Sequence, residues 1–108
     1  MKMGLDIYIF KARNKKALEA SSPETIQEVY YARKFWTLIQ EASFLNVEED
    51  CCSYIKLSRK NIEELIEIAT HHEDYFGGFE TVPSLCRILA DFDTAEEEGY
   101  HYYMEFDY

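Results

Sequence analysis

The sequence lacks the short motifs that identify common catalytic and nucleotide-binding sites. It contains no H-E-x-x-H zinc motif. Its one glycine pair, in Phe76-Gly77-Gly78-Phe79, does not have the spacing of a Walker or dinucleotide loop. This segment is therefore predicted to be a loop, and the residue patterns alone do not identify an enzymatic activity.

Cysteine is scarce, with three residues in a chain of 108. An odd number, two of them adjacent (Cys51 and Cys52), does not form a disulfide framework. We expect reduced thiols in a cytoplasmic protein. The acidic residues 48–50 should raise the pKa of the neighbouring thiols, which is the wrong direction for a nucleophile. Cys86 follows an apolar helical stripe and is predicted to be buried and inert.

Long apolar runs are also missing. The N-terminal stretch at residues 5–10 is too short for a signal-peptide core or a membrane span. A myristoylation signal beginning at Met3 would need Ser or Thr where Tyr8 stands. We therefore expect this stretch to be the first strand of the fold, with Met3 as an alternative start.

Basic residues almost disappear after residue 60. Residues 61–108 hold thirteen acidic residues and one basic residue, Arg87, whereas residues 1–60 hold eight acidic and ten basic residues. This distribution argues against nucleic acid or an anionic membrane as a direct partner, because both require a basic surface. Since concentrated like charges cost stability, we predict that the acidic half docks on a basic protein surface, including one that normally holds nucleic acid.

The predicted partner-binding residues combine carboxylates with a tyrosine, a residue type that supplies rigid contact area. They are Asp91, Asp93, Glu96, Glu97, Glu98, Tyr103, Glu105 and Asp107. No cofactor and no metal site is predicted. The alternatives are a small enzyme or metal-binding protein that uses histidine and carboxylate, and a soluble accessory protein whose charge only maintains solubility.

His71 and His72 are the leading candidates for such a histidine site. Adjacent helical residues point about 100° apart, so these two cannot chelate one ion together. Glu67 and His71 could, at spacing i and i+4, but two ligands do not make a site. We expect structural histidines at a helix end.

The N-terminal half is predicted to contain a strand and a long helix. Alternation over residues 5–10 predicts the strand, with Asp6 on the face opposite Ile7 and Ile9. If that face is buried, Asp6 needs a partner such as a backbone amide or Arg33. After a polar connection at 11–22, a helix is predicted to run to about Leu45. Its predicted start is a Ser21 cap with Pro23 and Glu24, and its apolar stripe is Tyr31, Phe35, Leu38, Ala42 and Leu45.

The C-terminal half is predicted to hold two more helices and two strands. Residues 46–52 are predicted to be a loop and 54–57 a short strand, before a helix capped by Ser58. A third helix fits residues 82–92 and can continue to a stop at Gly99. An alternative interpretation pairs residues 87–93 with the last segment as a hairpin. The alternation in 99–108 predicts a final strand.

These elements follow one another in the order β-α-β-α-α-β, in a single domain over residues 1–108. The predicted fold is α+β, with a small and mainly antiparallel sheet packed with two to three helices. Three or so strands are expected, including both termini.

The stretch Met3-Gly4-Leu5-Asp6-Ile7-Tyr8 resembles the start of a family of small phage and prophage proteins with the motif M-G-L-D-[MI]-Y. Residues 28–34 are similar to the segment E-V/I-x-Y-W-R-K of that family, with Ala32 where tryptophan is common. The resemblance extends to about Leu45 and includes the helix start at Leu57-Ser58. It implies a bacterial or phage cytoplasmic protein and carries no mechanism.

Overall fold

The computed structural model describes residues 4–20, 26–72 and 80–108. Within these ranges lie the strands β1 (Asp6–Ala12), β2 (Ile26–Arg33), β3 (Ile55–Lys56) and β4 (His101–Asp107). The helices are α1 (Lys15–Glu19), α2 (Trp36–Gln40), α3 (Val47–Asp50), α4 (Arg59–His71) and α5 (Thr81–Glu97). The strands form one antiparallel sheet in the order β2-β1-β4-β3. The α+β prediction is confirmed, with one strand more than the three expected.

The two central strands are β1 and β4, which come from opposite ends of the chain. Ile7 lies opposite Phe106, and Ile9 lies opposite Met104. All four side chains are fully buried. Because side chains alternate along a strand, these residues define one side of the sheet, the core face. Both strands were predicted from their alternation, and both are confirmed.

Helices α4 and α5 cover the core face. Ile62 and Leu65 of α4 and Leu85 of α5 are fully buried in the same cluster as the central strands. Ser58 caps α4, since its hydroxyl accepts a hydrogen bond from the Asn61 amide and the Asn61 side chain accepts one from the Ser58 amide. The predicted cap is therefore confirmed. Each apolar side chain of this size stabilises the fold by about 1.5–3 kcal/mol when buried.

The long helix predicted to run to about Leu45 is wrong. Residues 26–33 form β2, which pairs with β1, and only the five-residue α2 follows before Leu45. The predicted cap at Ser21 and Glu24 lies outside the described residues. The segment IQEVYYAR is rich in β-branched and aromatic residues, which suit a pleated surface. Pairing with β1 therefore outweighs the helical spacing.

The chain turns sharply at Lys34, between β2 and α2, and this turn explains why the predicted apolar helical stripe is wrong. Lys34 has φ of +61°, in the left-handed region, and its amide donates to the Leu5 carbonyl at 2.7 Å. Phe35 and Leu38 beyond the turn enter the core, whereas Tyr31 before it lies on the other side of the sheet. The apparent helical stripe thus joins residues from a strand and from a helix that do not share a face.

Two short helices appear where polar segments were predicted to be a connection and a loop. Asn14 caps α1 by accepting from the Ala17 amide, and Asn46 caps α3 by accepting from the Glu48 and Glu49 amides. Side-chain caps of this kind accept hydrogen bonds from first-turn backbone amides, which have no partner within the helix. The predicted loop at 76–79 lies outside the described residues.

Helix α5 extends to Glu97 and is terminated by the predicted stop at Gly99, so the alternative hairpin is wrong. Gly99 has φ of +84°. Its amide donates to the Glu96 carbonyl at 3.0 Å, and the Tyr100 amide donates to the Ala95 carbonyl at 2.8 Å. This is a Schellman motif, and it reverses the chain from α5 into β4.

Replacing Gly99 with alanine tests this reversal. We expect Gly99→Ala to lower the free energy of unfolding by about 1–2 kcal/mol, because alanine is strained in the left-handed region. Gly4→Ala is the matched control, since an added Cβ there meets no atom within 4 Å. Urea denaturation of both variants gives the comparison. Equal stability of Gly99→Ala and Gly4→Ala would contradict the assigned role of Gly99.

Candidate functional site

The structure divides the predicted partner-binding residues between two sides of the molecule. Asp91, Asp93, Glu96, Glu97 and Glu98 belong to α5 and its C-terminal end, on the helical side of the sheet. Glu105 and Asp107 alternate with the buried Met104 and Phe106, so their side chains emerge from the opposite side of β4.

Two of the α5 carboxylates have partners within the protein. Asp91 accepts hydrogen bonds from the Lys11 ammonium at 2.8 Å and from the Tyr102 hydroxyl. Asp93 lies 2.7 Å from the Arg59 guanidinium, which links α5 to α4. These contacts give both residues a structural role. By contrast, Glu96, Glu97 and Glu98 are exposed.

Tyr103 is buried under α1. It forms a small second core with Ala12 and Leu18, against which Phe10, Ile26 and Tyr54 pack. The Tyr103 side chain is only 5% exposed. Its ring therefore stabilises the sheet and α1, and little of it is available to a partner.

The side of the sheet that faces away from α4 and α5 carries a mixed group of carboxylates and aromatic rings. Among the described helices, α1 alone packs on this side, at the end of β1 near Ala12. We name the remainder the acidic–aromatic face. It consists of Asp6, Tyr8, Phe10, Glu28, Tyr31, Tyr54, Glu105 and Asp107.

The rings of this face form a continuous row. The Tyr8 ring stacks on Phe10 with centroids 5.7 Å apart and an interplanar angle of 13°, and it lies 5.0 Å from Tyr31. Phe10 in turn meets the edge of Tyr54 at 6.2 Å. Cross-strand aromatic pairs of this kind stabilise a sheet. They also hold the rings in place as a preformed surface.

Tyr8 lies at the centre of four carboxylates. Burial raises the pKa of its hydroxyl, and the negative charges of Asp6, Glu28, Glu105 and Asp107 raise this pKa further. Burial and the nearby Asp107 also raise the pKa of Glu105. Burial is the larger cause of both shifts, and the neighbouring negative charge adds to each of them.

Among the described strand residues on this side of the sheet, the cations lie on the outer strands. Arg33 of β2 is opposite Asp6, with its Nε atom 3.9 Å from the carboxylate, and Lys56 of β3 is opposite Tyr103. Both are exposed. Among the described strand residues on this side, the carboxylates therefore outnumber the cations, and the cations lie on the outer strands.

Asp6 interacts with Arg33, which the sequence analysis predicted, and with Tyr31, which it did not predict. Its side chain is 28% exposed and lies near Arg33. The stronger contact is with Tyr31, whose hydroxyl donates to the Asp6 carboxylate at 2.7 Å. That hydrogen bond is the main reason why the pKa of Tyr31 is raised. The wrong assignment of β2 as a helix concealed this contact.

A groove of about 340 Å³ extends the face along the outer edge of β2. Glu28 and Tyr31 of the face line it, together with Glu80 and Ser84 from the start of α5. Its charged lining is acidic, as is the centre of the face. The groove therefore offers carboxylates to a segment that lies across β2.

The histidines of α4 serve as local contacts. His72 Nε2 lies 2.8 Å from the Glu41 carboxylate, which ties the end of α4 to the end of α2. His71 Nδ1 lies 2.8 Å from the Glu67 carbonyl oxygen, one turn back in the same helix. The interaction of His71 is thus with the backbone of Glu67, at a helix end as expected.

The prediction for Cys86 is wrong, and the causes that raise the pKa of Cys52 are different from the predicted ones. Cys86 is exposed on α5, because it points about 100° away from the buried Leu85, so the prediction of a buried thiol is wrong. Cys51 and Cys52 meet Asp107 at the end of β4. The hydrogen bond between the two thiols, followed by burial and Asp107, raises the pKa of Cys52 to about 11.

Comparisons with protein-family models, with curated proteins and with solved structures give no match to this chain. In the part of the chain that the structure describes, no helix combines the length and the apolar character that a membrane crossing requires.

Glu105 and Asp91 should affect stability in opposite directions. The raised pKa of Glu105 means that its ionised form costs stability at neutral pH, a cost that disappears below about pH 4. Hydrogen bonds from Lys11 and then Tyr102 lower the pKa of Asp91. Its ionised form therefore stabilises the fold above the ordinary value of 3.8, and this contribution is lost as the pH falls through the lower folded pKa.

We expect Glu105→Gln to raise the free energy of unfolding at pH 7, and Asp91→Asn to lower it. Each change should be at most about 1 kcal/mol because solvent screens both groups. The Glu105 difference should shrink as the pH falls to about 4, whereas the Asp91 difference should persist at pH 4 and shrink only as the pH falls below 3.8. Urea denaturation at several pH values measures them, and changes of the same sign at pH 7 would contradict the assignment.

Proposed function

We propose that this protein is a non-catalytic interaction module that binds a lysine- or arginine-rich segment of a partner protein through the acidic–aromatic face. The observation that carries the proposal is the position of Tyr8, whose ring is stacked in an aromatic row and surrounded by four carboxylates. The proposal keeps the predicted class of partner and, of the predicted contact residues, keeps Glu105 and Asp107 of β4 and leaves out those of α5.

The chemistry of the face suits a cationic side chain. A guanidinium or ammonium group placed over an aromatic ring gains about 0.5–2 kcal/mol, depending on how far it is desolvated. Carboxylates beside the ring add charge-assisted hydrogen bonds. The row of Tyr31, Tyr8 and Phe10 supplies the rings, and Asp6 and Glu105 supply flanking carboxylates on the same side of β1 and β4.

The arrangement of charge also favours a cationic ligand. Asp6 lies directly opposite Asp107 in the β1–β4 register, and Glu105 lies two residues before Asp107 on the same side. Like charges placed opposite one another on neighbouring strands are destabilising. Asp107 contributes to the raised pKa of Glu105, and a cation bound beside Glu105 would reduce that cost.

The dimensions of the face favour a short segment over a globular surface. At about 4.8 Å between strands and about 3.4 Å per residue, its strands cover roughly 14 Å by 13 Å. A standard protein–protein interface buries about 800 Å² on each partner, which is several times this area. An extended basic segment that also enters the groove beside β2 matches the area available. We do not propose nucleic-acid mimicry, because the acidic residues lie on two sides of the molecule.

Fluorescence anisotropy with a labelled peptide of alternating arginine and serine tests the proposal. We expect Glu105→Gln to weaken binding about 5-fold, which corresponds to about 1 kcal/mol. Because the same substitution should stabilise the fold at pH 7, unfolding would not explain the loss. Glu97→Gln makes the same chemical change at an exposed position of α5 and should leave the affinity within about 2-fold.

The aromatic contribution has its own pair of variants. Tyr8→Leu removes the ring and should weaken binding about 5-fold, whereas Tyr8→Phe keeps the ring and should retain the affinity. Raising the salt from about 50 mM to about 300 mM should also weaken binding severalfold. Equal losses from Glu105→Gln and Glu97→Gln, or an affinity that does not change with salt, would contradict the proposal.

A further inference from the structure

Cys51, Cys52 and Asp107 bring three metal-binding groups together at the end of β4. One ligand atom from each residue lies within 4.8 Å of the other two. The Cys51 and Cys52 sulfurs are 3.5 Å apart, and the Cys52 sulfur is 3.5 Å from the Asp107 Oδ1 atom. Cys51 and Asp107 are half-buried and Cys52 is exposed, so the cluster is open to solvent on one side.

These separations match those around a tetrahedral zinc ion. Zinc–sulfur bonds of about 2.3 Å and zinc–oxygen bonds of about 2.1 Å place two sulfurs about 3.8 Å apart and a sulfur and an oxygen about 3.6 Å apart. The Cys51–Cys52 and Cys52–Asp107 distances are within 0.3 Å of these values, and the Cys51 and Asp107 ligand atoms lie within 4.8 Å of each other. A small adjustment of side-chain rotamers is therefore enough to place one ion between the three groups.

The backbone around Cys52 explains how adjacent cysteines can point to the same place. Cys52 has φ of +68°, a conformation that is strained for residues with a side chain. Its amide donates to the Phe106 carbonyl at 2.8 Å, which fixes this loop beside Asp107. The fold thus retains a cysteine at a position where glycine would be unstrained, and strain of this kind clusters at functional sites.

We infer that Cys51, Cys52 and Asp107 form a binding site for a thiophilic divalent ion of the Zn²⁺ class. Two thiolates and one carboxylate suit Zn²⁺ or Cd²⁺, whereas Mg²⁺ and Ca²⁺ prefer six or more oxygen ligands. Three protein ligands leave a fourth tetrahedral position for water or for a group from a partner. The site does not depend on the proposed binding of a basic segment.

Binding exchanges protons for the metal without electron transfer. Each thiol releases its proton to solvent as its sulfur bonds to the ion, and Asp107 exchanges the hydrogen bond from Cys52 for a metal–oxygen bond. Two neutral thiols and one carboxylate carry a charge of −1, and so do one divalent ion, two thiolates and one carboxylate. The net charge of the cluster is therefore the same before and after the ion binds.

Titration of the reduced protein with Co²⁺ and Zn²⁺ tests the inference. We expect one Co²⁺ per chain with a thiolate-to-metal charge-transfer band, and displacement of Co²⁺ by Zn²⁺. Cys51→Ser and Cys52→Ser should each lower the band intensity per bound Co²⁺ by about half and weaken Zn²⁺ binding about 100-fold, and Asp107→Asn should weaken it about 10-fold. Cys86→Ser is the matched control, since Cys86 is an exposed thiol elsewhere, and it should bind as the unaltered protein does.

Cys52→Gly separates the loss of the ligand from the loss of the fold. Glycine adopts the left-handed conformation without strain, so this variant should keep the urea midpoint of the metal-free protein while losing about half of the charge-transfer intensity. A band of undiminished intensity in Cys52→Gly or Cys52→Ser would overturn the site. So would a band lost in Cys86→Ser, or binding so weak that it appears only at millimolar metal.

Discussion

The pairing of β1 with β4 is the constraint on which the rest of the structure depends. It joins the two ends of the described chain at the centre of the sheet, in a register that places Ile7 opposite Phe106 and Ile9 opposite Met104. A shift of one residue would move every side chain of one strand to the wrong side of the sheet. The burial of these four residues under α4 and α5 fixes the register.

The same register creates the candidate sites. With the core residues fixed, Asp6 must lie opposite Asp107, and Tyr8 must lie opposite Glu105. The sheet therefore carries an apolar core on one side and an acidic–aromatic surface on the other. Asp107 also reaches the two cysteines beside the end of β4. The negative charge of Asp107 adds to the raised pKa of Glu105, a cost that the core offsets and that a cationic ligand would reduce.

Local patterns predicted the elements whose signals were local. The alternation of β1 and β4, the Ser58 cap of α4 and the Gly99 end of α5 each depend on neighbouring residues, and each is confirmed. Strand β2 was missed because Tyr31, Phe35 and Leu38 have the spacing of a helical stripe, and because the sequence does not indicate the turn at Lys34. The acidic–aromatic face and the Cys51–Cys52–Asp107 cluster were missed because both depend on the strand register. The acidic composition predicted that the binding surface would be negatively charged, but it did not predict which side of the molecule would carry it.

Side-chain NMR during titration with the arginine peptide tests the central claim most directly, because it reports which side of the sheet the ligand occupies. The account predicts shifts concentrated in the rings of Tyr8, Tyr31 and Phe10 and in the carboxyl carbon of Glu105. The side chains of Glu96, Glu97 and Glu98 should change little. Chemical-shift changes at those three glutamates, with no change at the Tyr8 ring, would contradict the account. The peptide would then bind the exposed carboxylates of α5 without contacting the aromatic rings.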